Sequence, residues 1–428
     1  MLLGKYINNI MAHIAHKYKL LPTKTQEKTL AQMGGSTRWL WNYMLDLNQK
    51  TYQETKKFVF AIDMANLLPE LKSQNIWLKD TPSQSLQQKC IDLDRSLKSV
   101  WKSGFGFPKF KAKHKSSDSF RIPQNSKGTQ IRAYGTHLFM PKLGKVKWVM
   151  HRPLPENSKI KSITITKDID DWFVSVLLEI PNIEPMKYID ANKTVGLDLG
   201  VASFATLSDG TKIESPNFLK KSLRKLKHYQ RQLKHKTKGS NNIKKQYTKI
   251  AKIHRDIRNA RMNWLHHQSK DLVSKYDVIC IENLKIKDLL EKKQMSRSIA
   301  DQGWGIFVSH LQYKAVLSGK HVTKIGTYEP STKTCSCCGN IRSMKLSDRV
   351  YVCENIKCND YLKAKDRDIN AATNIHFWGL MATEGVSFVS NTDGISEINA
   401  CGDTITCQSN IIDEVSMKQE ARRSLVVV

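Results

Sequence analysis

Four acidic side chains stand where acids are costly. Asp198 lies in "TVGLDLG", between glycines in an otherwise apolar run. Val195, Leu197 and Leu199 fall on one face of that strand, and Asp198 falls on the other. Glu282 closes the apolar strand "VICIE", and Asp366 and Asp368 open the helical run "DRDINAATNI". A carboxylate at the end of a buried strand needs a partner or a metal. Asp also caps helix N-termini well, so one member of the last pair can serve a purely structural end. Acids on three successive elements of an α/β unit could converge on hard cations. Mg²⁺ binds through a few carboxylates plus substrate phosphate. Two such ions clamp the attacking and leaving oxygens of a phosphodiester displacement.

A second constellation is made of sulfur. Cys335 and Cys338 form C-x-x-C followed by Gly339, Cys353 and Cys358 form C-x4-C, and fourteen residues separate the pairs. Four thiolates around one tetrahedral, structural Zn²⁺ fit this pattern. Cys337 is a fifth thiol whose spacing suits such a site less well, and "MKLSDRVYVC" between the pairs reads as the strands of a zinc ribbon. Cys90 and Cys280 lie in apolar segments and read as core. No Ser-His-Asp or Cys-His nucleophile signature and no P-loop occurs.

Composition names the partner class. The 428 residues hold 69 Lys+Arg against 39 Asp+Glu, a net charge of +30, and a field of that size favours a polyanion. The length suits two to four domains. No stretch of about 18 apolar residues is uninterrupted, and the first residues lack a signal-peptide pattern. No membrane partner and a cytoplasmic, nucleoid-associated location are expected, where cysteines serve metals rather than disulfides. Residues 381–428 carry seven acids and three bases and read as a poorly ordered acidic tail.

The positioning elements follow from periodicity. "AHKYKLL" reads as a strand, and Thr23 with Gln26 forms a capping box that starts a helix. Leu86, Cys90, Leu93, Leu97 and Trp101 mark one helix face. In "GFGFPKFKAKHKSS", Phe105, Phe107 and Phe110 alternate with Lys109, Lys111, Lys113 and Lys115. Such a loop can stack on bases while its cations meet phosphates. Two alternating runs in "SITITKDIDDWFVSVLLEI" form a hairpin, and Asp209-Gly210 marks another. Residues 220–261 hold sixteen Lys/Arg and one acid, in two helices broken at "GSNN". That ratio is too lopsided for surface ion pairing. Lys220, Lys221, Arg224, Lys225, Lys227, Arg231, Lys234, Lys244 and Lys245, with Phe107, Lys109, Phe110, Lys111 and Lys113, are therefore the candidate nucleic-acid contacts.

The ordered set "VGLDLGVASFATLSDG", "VICIENL", "PSTKTCSCCG" and "DRDINAATNI" resembles the TnpB (OrfB) proteins of bacterial insertion sequences, relatives of the type V CRISPR effectors. "YKLLPTKTQE", "GFPKFKAK", "KSITIT" and "DQGWGIF" extend the resemblance over most of the chain. It implies an RNA-guided DNA endonuclease encoded by a transposable element. Its partners would be a guide RNA from the element end and double-stranded target DNA, cut beside a short transposon-adjacent motif. Protein reads the short motif and base pairing reads the sequence. The implied fold is multidomain α+β: a β-barrel wedge domain with an inserted helical recognition domain, then an RNase H-like (RuvC) α/β nuclease domain with an inserted zinc ribbon. Mapped here, the wedge spans 1–22 and 118–190, and the helical domain with its basic aromatic loop spans 23–117. The nuclease domain spans 191–326 and 364–380, the ribbon 327–363 and the tail 381–428. The resemblance makes Asp198, Glu282 and Asp368 the Mg²⁺-binding catalytic acids, with Asp368 chosen over Asp366 because it directly precedes "INAA". One departure is plain: the family's second knuckle is C-x-x-C-G, whereas "CENIKCN" has two extra residues and no glycine. Two other readings compete: a guided DNA-binding repressor without cleavage, against which the intact acids argue, and a transposase or recombination accessory protein acting on DNA ends.

Overall fold

The computed structural model describes residues 12–103, 106–113, 118–125, 130–291, 296–327, 329–345, 347–389 and 397–398. Phe105, Lys115 and most of the expected acidic tail lie outside these residues. The chain folds into two compact units, Met1–Asn182 and Ile183–Val428.

The first unit is a sheet interrupted by helices. Strand β1 (Ala12–Leu21) is followed by α1 (Lys24–Thr55), α2 (Ala61–Asn66), α3 (Leu68–Gln74) and α4 (Ser83–Ser103). Then come β2 (Ser119–Pro123), β3 (Arg132–Tyr134), β4 (His137–Met140), β5 (Gly144–Val149), β6 (Lys159–Asp168) and β7 (Asp171–Ile180). The sheet is antiparallel in the order β2-β6-β7-β1-β5-β4-β3. β1 pairs with β7 from Ala12↔Ile180 to Leu20↔Trp172, so the strand before the helices is locked between strands that follow them. On β7 the alternate residues Trp172, Val174, Val176, Leu178 and Ile180 are buried, as a sheet with one covered face requires. The end strands β2 and β3 are not paired with each other among the described residues, so the barrel closure implied by the family remains an expectation.

The Thr23 capping box forms as expected: its side chain accepts from Gln26 N, and the Gln26 side chain accepts from Thr23 N. α1 stops at Lys56, whose φ of 58° leaves the helical region. Leu86, Cys90, Leu93 and Leu97 of α4 pack on Leu40, Trp41, Met44 and Leu45 of α1, so that helical stripe is core.

The second unit has three layers. Its elements are β8 (Tyr188–Asp190), β9 (Thr194–Asp198), β10 (Ser203–Leu207), β11 (Lys212–Glu214), α5 (Phe218–Gln232), α6 (Asn241–Lys275) and β12 (Val278–Ile281). They continue with α7 (Ile286–Glu291), α8 (Ser296–Gln302), α9 (Trp304–Val316), β13 (His321–Lys324), β14 (Val350–Val352), β15 (Ala364–Asp366), α10 (Arg367–Met381), β16 (Ser387–Val389) and β17 (Glu397–Ile398). The central sheet has the order β11-β10-β9-β12-β13. β9 and β10 are antiparallel, while β12 runs parallel to both β9 and β13. On one face, Leu265, Leu272, Phe307 and Leu311 from α6 and α9 close over Val195, Leu197, Phe204, Ile279 and Ile281. On the other face Ile375 of α10 packs with Val278, Cys280 and Ile325. The central strands are buried on both sides, which is why "VICI" is continuously apolar.

α10 lies unusually close to the sheet. A Cβ on Gly196 would stand 2.1 Å from the Ala372 carbonyl oxygen, and one on Gly379 would stand 2.3 Å from Cys280 Cβ. Thr194 Oγ1 and His376 Nε2 add a hydrogen bond of 2.7 Å across the same contact.

Three expectations need correction. Residues 183–190 belong with the second unit, not with the first sheet, because β8 pairs in parallel with β16. For the same reason the chain beyond 380 is not all tail: Phe388 is buried against Ile189 and Ile375. Within the cysteine segment, the pairing is between β14 and β15, so the second strand of that hairpin follows the cysteines instead of lying between them.

The close approach at Gly196 gives a direct test. Gly196→Ala should lower stability by about 1–3 kcal/mol or more, the usual cost of overfilling a packed interior, read as a drop in the thermal unfolding midpoint. An unchanged midpoint would mean that the helix stands farther from the strand.

Candidate metal centres and nucleic-acid surface

β9 and β12 are parallel neighbours with Ile281 opposite Leu197. Asp198 and Glu282 therefore sit side by side at the same strand ends. Asp368 enters from α10, whose first turn lies over those ends. The two acids of "DRD" divide the work: Asp366 is the N-cap, its side chain accepting from the backbone N of Asp368 and Ile369, and Lys212 Nζ pairs with it at 2.7 Å. This leaves Asp368 in the first turn, where the helix dipole favours a negative charge. Arg367 donates to Asp368 Oδ1 at 3.0 Å and to the Asp348 carbonyl at 2.7 Å.

Asp198 feels the other two acids. Burial, followed by the charges of Glu282 and Asp368, pushes the Asp198 carboxyl up to about 8, against a smaller opposing pull from Arg367. Burial likewise raises Glu282, with a hydrogen bond from Ser331 Oγ acting the other way. All three acids keep a partly accessible edge. A cluster of oxygen donors with mutually unfavourable charge fits a hard divalent cation. Their separation is looser than that of a closed ligand set: among the described residues, only the cysteines bring ligand atoms all within 4.8 Å of one another.

Cys335, Cys338, Cys353 and Cys358 form that set. The Sγ atoms of Cys335 and Cys358 are 3.9 Å apart, and those of Cys338 and Cys353 are 3.6 Å apart. The first knuckle turns at Gly339, with φ 73° and its N–H donating to the Cys335 carbonyl. The longer second knuckle is held by its extra residues. Asn355 Oδ1 accepts from Lys357 N at 3.1 Å, its backbone carbonyl accepts from Cys358 N at 2.9 Å, and its Nδ2 donates to Cys338 Sγ at 3.5 Å. Burial opposes the Cys338 thiolate, but N–H donors from Asn340 and Asn355 outweigh it and hold this thiol below its usual range. Cys337 is buried outside the set, bonded to Asp360. Tyr351, fully buried beneath the sulfurs, donates to the Asn340 carbonyl.

Residues that sequence patterns did not single out join the two centres. Asn370 Nδ2 donates to the Thr334 carbonyl at 2.7 Å, and its Oδ1 accepts from Ser336 N at 3.0 Å. Asn374 Nδ2 donates to the carbonyls of Ser331 at 2.8 Å and Thr334 at 2.7 Å. Both amides are buried. The signal was available in "DINAATNI", where two Asn four apart share one face of an otherwise apolar helix turn.

The basic helices α5 and α6 bury Leu226, Ile253 and Ile257 against each other. Lys220, Lys221, Arg224, Lys225, Lys227, Arg231, Lys234, Lys244 and Lys245 are all exposed. In the first unit, Phe107, Lys109, Phe110 and Lys113 are exposed as well. Lys111 is different. Its Nζ sits 3.6 Å from the Trp41 ring centroid, Asn42 bonds both its N–H and its carbonyl, and burial with nearby Lys89 pushes its amine down to about 8. It anchors the loop to α1 and is the least available of the expected phosphate contacts.

A family described as "Probable transposase", of the IS605 OrfB type, matches residues 175–293, and a helix-turn-helix domain of that type matches 11–57. A Cas12f1-like TNB domain matches residues 304–375. The chain is 32% identical to "Putative RNA-guided DNA endonuclease InsQ" of Escherichia coli (strain K12), over 84% of this chain and 91% of that relative. The chain belongs to the TnpB (OrfB) family. A second family member, "Putative RNA-guided DNA endonuclease" of Streptomyces pristinaespiralis, is 30% identical over 96% of each chain. Among solved structures, a chain of "Cryo-EM structure of the Cas12f1-sgRNA-target DNA complex" matches with a TM-score of 0.50 at 14% identity, covering 86% of this chain and 99% of that one. This likeness concerns the fold.

Two outcomes are expected at these centres. Purified protein should carry one zinc per chain by elemental analysis, and Cys358→Ser should lower that content at least about tenfold, since three sulfurs cannot close a tetrahedral site. Zinc content unchanged by the substitution would place the metal elsewhere. The second outcome concerns pH. A carboxyl whose folded pKa lies above its unfolded value binds more protons folded than unfolded. The Asp198 contribution to stability therefore falls as pH rises from about 4 to about 8. In EDTA at pH 8, Asp198→Asn should raise stability by at least about 1 kcal/mol, the equivalent of one pKa unit, and the gain should shrink towards pH 5. A thermal midpoint that drops at both pH values would contradict the placement.

Proposed function

We propose that this chain is an RNA-guided, divalent-metal-dependent DNA endonuclease that cuts DNA beside a short transposon-adjacent motif. The observation that carries the reading is the placement of Asp198, Glu282 and Asp368: two neighbouring strand ends and one helix start, where burial first, and then the charges of Glu282 and Asp368, push the Asp198 carboxyl up. The names borne by the two relatives that align along most of the chain support the guided activity. The guide RNA and target DNA held in the similar Cas12f1 complex support RNA and DNA as partners. In this reading the second unit is the RuvC-like nuclease with its inserted zinc ribbon, and the first unit is the wedge with its helical recognition insert.

The residues have distinct parts. Asp198 and Asp368 would hold the divalent ions, and Glu282 would complete the site. Bound there, Mg²⁺ ions, two in this reading, would supply an activated water and neutralise charge on the scissile phosphate. Asp366 keeps the first turn of α10 in place and fixes where Asp368 points. Asp198 must lose its proton before it can bind a cation, so activity should rise with pH towards 8. Exposed cations of α5 and α6 would neutralise phosphates, and Phe107 and Phe110 would offer surfaces to bases. Cys335, Cys338, Cys353 and Cys358 would hold a structural zinc that keeps the inserted segment folded.

The test is expression with the native downstream DNA, followed by sequencing of the RNA that copurifies. The complex then meets a plasmid library carrying the guide match beside a randomised flank, in Mg²⁺ or EDTA, with Asp198→Ala as the control. The expected result is loss of one flank class in Mg²⁺ alone, abolished by Asp198→Ala while target binding persists. Flank-selective binding without cutting would convert the reading to a guided repressor. Strand joining with no specific RNA would support an activity on DNA ends instead.

A further inference from the structure

The segment between β13 and the first cysteine pair has no task in the proposed function, yet Ser331, Thr334 and Ser336 in it are bonded to Glu282 and α10. Ser331 is buried, with 3% of its surface exposed. Its hydroxyl donates to Oε1 of Glu282, which lies 49 residues away in sequence. Its carbonyl accepts from Asn374 Nδ2 of α10. The same amide reaches Thr334, and Asn370 grips Thr334 and Ser336 on either side of Cys335. Within the segment, Thr334 N and Lys333 N both donate to the Pro330 carbonyl, which fixes its turn.

We infer that Ser331 is a positioning residue for Glu282, held in place by α10 and by the folded cysteine module, so that the inserted module sets the orientation of an acid in the nuclease site. This rests on the nuclease reading above. The physical case has three parts. A serine hydroxyl has one proton to give, and here a carboxylate oxygen receives it. A hydrogen bond to one oxygen of a carboxylate fixes the plane of the group and thereby aims the other oxygen; partners of this kind orient metal ligands and tune their affinity. The backbone carrying Ser331 cannot shift to follow Glu282, because buried amides bond its carbonyl and that of Thr334. The path from α10 through Asn374 to Ser331 to Glu282 thus links the element bearing Asp368 to the element bearing Glu282, and it passes through residues at the root of the cysteine module. A serine that merely filled space would not need its hydroxyl on the acid.

The experiment compares the wild-type guide complex with Ser331→Ala and Ser331→Thr. Mn²⁺ affinity is read from electron paramagnetic resonance of the free ion, and cleavage rate is read across Mg²⁺ concentration. Zinc content and target binding serve as structural controls. Ser331→Ala should weaken Mn²⁺ binding about 10- to 100-fold and raise the Mg²⁺ needed for half-maximal cleavage in parallel, with zinc and target binding unchanged. Ser331→Thr, which keeps the hydroxyl, should recover most of both. Unaltered Mn²⁺ affinity and Mg²⁺ dependence in Ser331→Ala would overturn the inference. So would joint loss of zinc and target binding, which would make Ser331 a staple of the fold. A wild-type complex that binds Mn²⁺ but does not cut would remove the nuclease reading alone, and the Mn²⁺ comparison would still decide the role of Ser331. A wild type that binds no Mn²⁺ would overturn both.

Discussion

The contact between α10 and the strands β9 and β12 is the constraint on which the second unit depends. It is made without side chains at two points, Gly196 on the strand and Gly379 on the helix, where even a methyl group would collide. Such proximity turns a helix into part of the sheet's other face. It has three consequences. The first turn of α10 arrives over the strand ends, so the charge of Asp368 reaches Asp198. The helix dipole is directed at the same place. The face of α10 turned away from the sheet presents Asn370 and Asn374 to the root of the cysteine module. One close approach therefore positions an acid and anchors an insertion.

The cysteine module is tied to α10 at both of its ends. Its sulfur set closes around two knuckles of unequal length, and the longer one is compensated by Asn355, whose amide serves the turn and a sulfur together. β14 enters the second knuckle and β15, paired with it, follows the knuckle and runs into α10. The module thus begins at a segment bonded to α10 and ends at the strand that runs into α10. It lies between Glu282 and Asp368 in sequence, and Ser331 at its root bonds Glu282. Around this acidic centre lies a chain of net charge +30. In the proposed function the two signs have different jobs: exposed cations would draw a polyanion from a distance, whereas the clustered carboxyls would create a local demand for cations.

Sequence showed the parts that obey local rules. Glu282 at the end of "VICIE" and Asp198 in "VGLDLG" are acids in apolar strands, and burial on both faces of those strands explains why they stood out. Four cysteines at knuckle spacing converged despite the two extra residues. Asp366 caps α10, as an Asp at a helix start can. Long-range relations were less visible. β8 and β16 lie about 200 residues apart and each is three residues long, so neither has a periodicity to read. Lys111 alternates with its neighbours as a phosphate contact would, but Trp41 and Asn42 of α1 capture it. Ser331 is one of many serines until the fold places it beside Glu282. Polar residues reveal their work through partners, and partners are set by tertiary structure.

The central claim is that Asp198, Glu282 and Asp368 make one divalent-metal site. Diffraction from Mn²⁺-soaked crystals of the protein bound to guide and target, collected at the manganese edge, tests it most directly. The account predicts anomalous peaks at about 2.0–2.2 Å from carboxylate oxygens of Asp198 and Asp368, with Glu282 facing the same ions, and no peak there in Asp198→Ala. Manganese bound at another cluster, with this one empty at saturating ion, would contradict it.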